Sequence, residues 1–110
     1  MRKIELQLRE AIQNFKPFSK DNTVFHPMSG TEHGWELVLH GNTIAIFDEG
    51  DSNPTVPKEI SLAGWPTPTT CSRLNALDGV TIQIKKGVPY LNGTEIESNG
   101  WYHLYPKYDI

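Results

Sequence analysis

WELVLHGNTIAIF, residues 35–47, decides the fold class of this chain. Trp35, Leu37 and Leu39 alternate with Glu36, Val38 and His40, the period of two that sends successive side chains to opposite faces of a strand. A second β-rich run ends at Phe47, and Gly41-Asn42 separates the two. That dipeptide suits the positive φ angles of a two-residue hairpin turn, so the segment predicts an antiparallel hairpin.

Downstream, DEGDSNPTVPKE (48–59) is acidic and broken by Pro and Gly, which predicts an exposed connection. ISLAGW (60–65) predicts a further strand, and CSRLNALD (71–78) a short helix with Gly79 as its left-handed C-terminal residue. The remainder predicts a meander. VTIQI (80–84) sets Val80, Ile82 and Ile84 on one face, VPYL and TEI flank the hairpin dipeptide Asn92-Gly93, and NGWYHLY (99–105) closes the sheet.

Upstream, residues 3–15 predict an amphipathic helix. Ile4, Leu8, Ala11, Ile12 and Phe15 share a stripe, Glu5 and Arg9 are an i,i+4 pair on the wet side, and Pro17 ends it. Leu6 lies off the stripe, which suggests a second contact. Residues 18–34 are polar and without period, and they predict a long loop with a short strand at Thr23–His26.

The expected fold is therefore α+β in a single domain over 1–110. An N-terminal amphipathic helix (1–17) and a loop (18–34) precede an antiparallel sheet of five to seven short strands (35–110), with one short helix inserted at 70–78. Eleven aromatic rings can supply much of the burial that a 110-residue core needs.

Composition narrows the function classes. A net charge of −3 with pI near 5.7 gives no global attraction to nucleic acid. The lone Cys71 excludes an intramolecular disulfide and a multi-cysteine zinc site. The start, MRKIELQLREAI, is too charged for a signal peptide, and no apolar run reaches the roughly 18 residues of a membrane span. A soluble, cytoplasmic protein is expected.

Catalytic constellations are sparse. His26, His33, His40 and His103 lack metal-ligand spacing, although Glu32-His33 and His40 suggest a His/carboxylate acid–base pair. Asp48, Glu49 and Asp51 lack the ligand pattern of a calcium loop. There is no phosphate-binding loop, Ser61 and Ser72 have no nucleophile-elbow context, and Cys71 flanks an apolar stripe as a core residue would. The reading is non-enzymatic, with no cofactor and no metal.

AGWPTPTTCSRLNAL (63–77) carries the densest pattern. Pro66 and Pro68 hold the chain extended after Trp65, Thr69 or Thr70 caps the helix, and Leu74 and Leu77 point inward. Arg73 flanks the stripe, while Ser72, Asn75 and Ala76 face outward. Free N–H groups at the helix start, the threonine hydroxyls and Arg73 suggest an anion or phosphate pocket, with nearby aromatics as stacking surfaces. Candidate binding residues are Trp65, Thr67, Thr69, Thr70, Arg73 and Asn75, with Trp101, Tyr102 and Tyr105. Lys58 and Lys85-Lys86 are the other local positive features.

On LVLHGNTIAIF, LAGWPTPTTCSRLNAL and YLNGTEIESNGWYHL the chain resembles a group of small phage- and plasmid-borne proteins of uncharacterised function, whose helix start is of a Thr-Thr…Arg-Leu-Asn type. Cys71 stands where that group commonly has a basic residue, which argues against an Arg-rich nucleic-acid surface. The resemblance implies an accessory viral protein of the host cytoplasm, with host modulation or inhibition of defence as its role. Three readings follow. The favoured one is a non-enzymatic binder of a host protein or nucleic acid, compatible with a homodimer. The second is a sponge for a phosphorylated small molecule such as a nucleotide, held at Thr69–Thr70. The third is a small metal-dependent hydrolase or nuclease built on His33 or His40.

Overall fold

In the computed structural model, which describes residues 2–104, the chain forms an antiparallel sheet of six strands, a second sheet of three, and two helices. Helix α1 spans Lys3–Asn14. Its stripe of Ile4, Leu8, Ala11 and Ile12 is buried as expected, and Phe15 ends it in the left-handed region at φ 47°, its N–H bonding the Ala11 and Ile12 carbonyls. The phenyl ring this turn throws inward meets Trp35 edge-on at 5.5 Å, and Phe25 stacks on the same indole at 4.7 Å.

Within the segment expected as a loop, the strand expected at Thr23–His26 is present over Thr23–Pro27, and a further strand at Phe18–Lys20 makes it a hairpin. β1 (Phe18–Lys20) pairs with β2 (Thr23–Pro27) across Asp21-Asn22, whose φ angles are 51° and 64°. β2 pairs with β3 (Gly34–Leu39), and β3 with β4 (Asn42–Asp48). The turn of this second hairpin is His40-Gly41, at φ 51° and 79°, one residue earlier than Gly41-Asn42. Positive φ at both central residues matches the right-handed twist of the strands, and histidine is among the side chains that tolerate it.

β4 pairs with β5, which is only Glu59–Ile60, and β5 with β9 (Tyr102–His103). The strand expected over 60–65 therefore stops at Ile60. Ala63 and Gly64 both take positive φ (54° and 79°), which turns the chain out of the sheet before Trp65. The connection 48–59 is partly anchored: Pro57 is fully buried, and Glu49 accepts the Trp35 indole N–H at 3.0 Å.

Helix α2 spans Pro68–Asn75, with Thr67 as its N-cap in place of Thr69 or Thr70. The small sheet follows as β6 (Ile82–Lys85), β7 (Val88–Leu91) and β8 (Thr94–Glu95), with Lys86-Gly87 and Asn92-Gly93 as its turns. Ile82 is buried, but Ile84 is 42% exposed, so that stripe runs off the core at its end.

One face of the large sheet builds the core: Phe25, Leu37, Ala45, Phe47 and Ile60 are fully buried, together with Leu8, Leu62 and Leu74 from the elements packed on it. A bulge at Leu37/Val38 leaves Ile44 as an extra residue in β4, so Ile44 and Ala45 are both buried although adjacent in sequence. Two expectations about which residues face outward are overturned. Glu5 does not pair with Arg9 on the wet side but is buried against α2. Arg9 instead reaches the Ala76 carbonyl (2.7 Å) and Asp78 (3.0 Å). Ala76, expected to face outward, is 1% exposed.

Candidate functional site

Residues 61–70 leave the sheet, turn and enter α2, and they do so beside the tip of the β3–β4 hairpin. Between the two lies a cleft of about 470 Å³. Its floor is Leu39, Ile44 and Leu62, whose outer surfaces close the core, and Ala63 and Trp65 form one wall. His40 and Asn42 line it from the hairpin tip, and Thr67, Thr69 and Thr70 from the helix start. Trp65 is 60% exposed, and beside the apolar cleft floor its indole extends an open apolar surface.

The local chemistry of the helix start is already committed. Pro68 has no N–H to offer. The Thr67 hydroxyl accepts the Thr70 N–H at 3.2 Å and shares a hydrogen bond with the Thr70 hydroxyl at 3.1 Å. The Thr67 carbonyl accepts the Cys71 N–H at 3.0 Å. Among the described residues only Thr69 keeps an unpartnered first-turn N–H.

Arg73 is not at this surface. It is buried with Glu5, its Nη1 lying 2.9 Å from Glu5 Oε2, and its Nε donates to the buried Thr23 hydroxyl at 3.0 Å. The Ser72 hydroxyl donates to the same Glu5 oxygen, and the Arg2 N–H reaches the other at 3.2 Å. Burial alone would raise the Glu5 carboxyl. The hydrogen bonds from Ser72, Arg2 and Arg73, with the guanidinium's charge, outweigh it and hold the group below the ordinary carboxylate range.

Asn75 clamps the edge of β6: its Oδ1 accepts the Ile82 N–H at 2.6 Å and its Nδ2 donates to the Ile82 carbonyl at 3.2 Å. Trp101 is 42% exposed, and Tyr102 is half-buried with its hydroxyl accepting the Glu97 N–H at 2.8 Å. The bond from Gly64 N to the Ser98 carbonyl, 2.8 Å, ties the Trp65 turn to the segment that leads to Trp101. Tyr105 lies outside the described residues. The structure thus gathers Trp65, Thr67, Thr69 and Thr70 in one cleft and sends Arg73 and Asn75 to other tasks.

Sequence reasoning missed His40, Asn42 and Ile44 as cleft residues. The first two follow from the turn position, and Ile44 from a bulge that nothing in the local alternation announces. It also missed a carboxylate–imidazole pair on the outer sheet face, where His26 Nε2 lies 3.0 Å from Glu36 Oε2 and the Thr43 hydroxyl donates to Oε1 at 2.8 Å. His33 lies 3.6 Å from Glu32 at an exposed site, and His103 stands opposite Glu59 across β5 and β9. Among the described residues no group of three His, Cys, Asp or Glu side chains is placed to hold a metal ion, and no helix is long and apolar enough to cross a membrane.

A family model described as Kyanoviridae Gp96 protein matches residues 1–106. The chain belongs to this phage protein family. The match covers nearly the whole chain, both sides of the cleft included. Neither a curated protein nor a solved structure matches the chain.

Proposed function

We propose that this phage protein is a non-enzymatic accessory factor that acts in the host cytoplasm by binding a host protein through the cleft between the β3–β4 turn and the start of α2. A role in modulating the host or inhibiting its defences fits that reading. The observation that carries it is Trp65, 60% exposed on the wall of a cleft whose floor is Leu39, Ile44 and Leu62. Tryptophan set beside an apolar depression is the usual anchor of a protein interface.

The same geometry weighs against a phosphate sponge. A phosphate at the helix start would find one open N–H, no lysine or arginine in the cleft wall, and a cap that it must displace. A nucleic-acid partner meets the same lack of positive charge.

The test uses the full chain and its Trp65→Ala variant as baits in host lysate, with and without nuclease. We expect a protein retained by the wild type after nuclease treatment and lost with Trp65→Ala, whose melting temperature stays within a degree or two of wild type. Equal retention by the variant, or loss of all capture on nuclease treatment, refutes the reading.

A further inference from the structure

We propose that the cleft accepts one uncharged aromatic side chain with a hydrogen-bonding edge, a tryptophan or tyrosine presented by the protein partner. This rests on the protein-binding reading above and specifies what the partner inserts.

The occupant's charge follows from the walls. No Asp, Glu, Lys or Arg lines the cleft. An arginine or carboxylate entering it would be desolvated over Leu39, Ile44 and Leu62 with no opposite charge to meet, which is unfavourable for either sign. The helix start can add only the single Thr69 N–H, because Thr67 already holds the Thr70 N–H and Pro68 has none, and one donor does not offset the desolvation of an ion.

The occupant's shape follows from Trp65 and the volume. An exposed indole offers a flat π face, and aromatic rings gain from offset stacking or edge-on packing against such a face beyond the area they bury. At about 470 Å³ the cleft falls inside the range of pockets that bury drug-sized ligands, so it has room for an aromatic side chain together with the backbone that presents it. A flexible aliphatic chain would bury area here without that directional gain.

The polar edge follows from the rim. The Thr69 hydroxyl and the His40 imidazole have no hydrogen-bond partner among the described residues, and Asn42 makes only a 3.4 Å contact from Nδ2 to the His40 carbonyl. These groups can meet an indole N–H or a phenol hydroxyl once water is expelled, so a ring that carries such an edge leaves fewer of them unpaired than phenylalanine does.

The experiment titrates the ¹⁵N-labelled protein with N-acetyl-tryptophanamide, N-acetyl-tyrosinamide, N-acetyl-leucinamide, N-acetyl-argininamide and AMP, and follows amide shifts. We expect saturable shifts confined to 39–44 and 62–70 with the first two probes, at least tenfold weaker binding of the leucine and arginine amides, and none of AMP. Trp65→Ala should abolish the response, and Thr69→Ala should weaken the aromatic probes several-fold. Absence of saturable binding by both aromatic amides overturns the proposal, as does equal or tighter binding of the arginine amide or AMP. If the aromatic probes fail while capture of a host protein still depends on Trp65, the inference falls and the protein-binding reading stands. If they bind but capture is independent of Trp65, the binding reading falls instead.

Discussion

Replacing Arg73 by methionine tests whether the pair it makes with Glu5 holds α1 to α2. Both side chains are about 5% exposed or less, and the nearest N–O distance is 2.9 Å. Methionine keeps the apolar stem but leaves the Glu5 carboxylate buried with only the Ser72 hydroxyl and the Arg2 N–H. Removing one partner of such a pair costs about 3–5 kcal/mol. A 110-residue domain has roughly 5–16 kcal/mol of stability in all, so the variant should lose a large fraction of it. At about 4 °C per kcal/mol for a domain of this size, the melting temperature should fall by roughly 12–20 °C. Urea denaturation at pH 7 gives the free energy directly. The double variant Glu5→Leu/Arg73→Met should recover most of the loss, because an apolar pair of similar volume carries no desolvation penalty. A residual deficit of about 1–3 kcal/mol should remain, since the buried Thr23 hydroxyl loses its guanidinium partner. The reasoning is refuted if Arg73→Met costs less than about 1 kcal/mol, or if the double variant is less stable than Arg73→Met alone. The pH dependence has a definite sign. Glu5 is held below the ordinary range in the folded chain, so its contribution is fully present above the unfolded value of about 4.3 and is lost as pH falls through the folded one. Glu5→Gln should therefore flatten the acid limb of stability against pH.

Loss of the helix cap in Thr67→Ala should cost about 1 kcal/mol by thermal denaturation, whereas Thr69→Ala should stay within about 0.5 kcal/mol, which tests Thr67 rather than Thr69 as the cap. Burial pushes the Cys71 thiol up, so less thiolate is present at pH 7 and alkylation by iodoacetamide should run at least several-fold slower than in the urea-unfolded chain; equal rates would contradict that placement.

What the sequence made legible is what short-range patterns encode. The stripe of α1 and the alternation of residues 35–39 are local periods, and the helices and hairpins they predict are present. The turns needed a finer rule. In three hairpins glycine is the second turn residue, as in His40-Gly41, Lys86-Gly87 and Asn92-Gly93, so reading glycine as the first residue of its turn shifted one hairpin by a position. Asp21-Asn22 turns without any glycine, and its polar flanks resemble a loop because β1 lies at the sheet edge with two of its three residues exposed. Arg73 was illegible for a different reason. On α2 alone it sits at the flank of an apolar stripe, and the carboxylate that draws it inward is 68 residues away.

The same distance rule separates folding from recognition within residues 63–77. Thr67, Thr70, Arg73 and Asn75 each spend their polar groups on contacts that hold the chain together, to the first turn of α2, to Glu5 and Thr23, and to the backbone of β6. The side chains of Trp65 and Thr69 make no such hydrogen bond among the described residues, and they line the cleft beside the hairpin tip. Substitutions in the first set should therefore change stability first and binding only through it. Substitutions in the second should change binding at nearly constant stability. A ligand that needs positive charge would have to recruit Arg73 from its buried pair at the cost of that pair, whereas an uncharged ring needs only the groups that folding has left open.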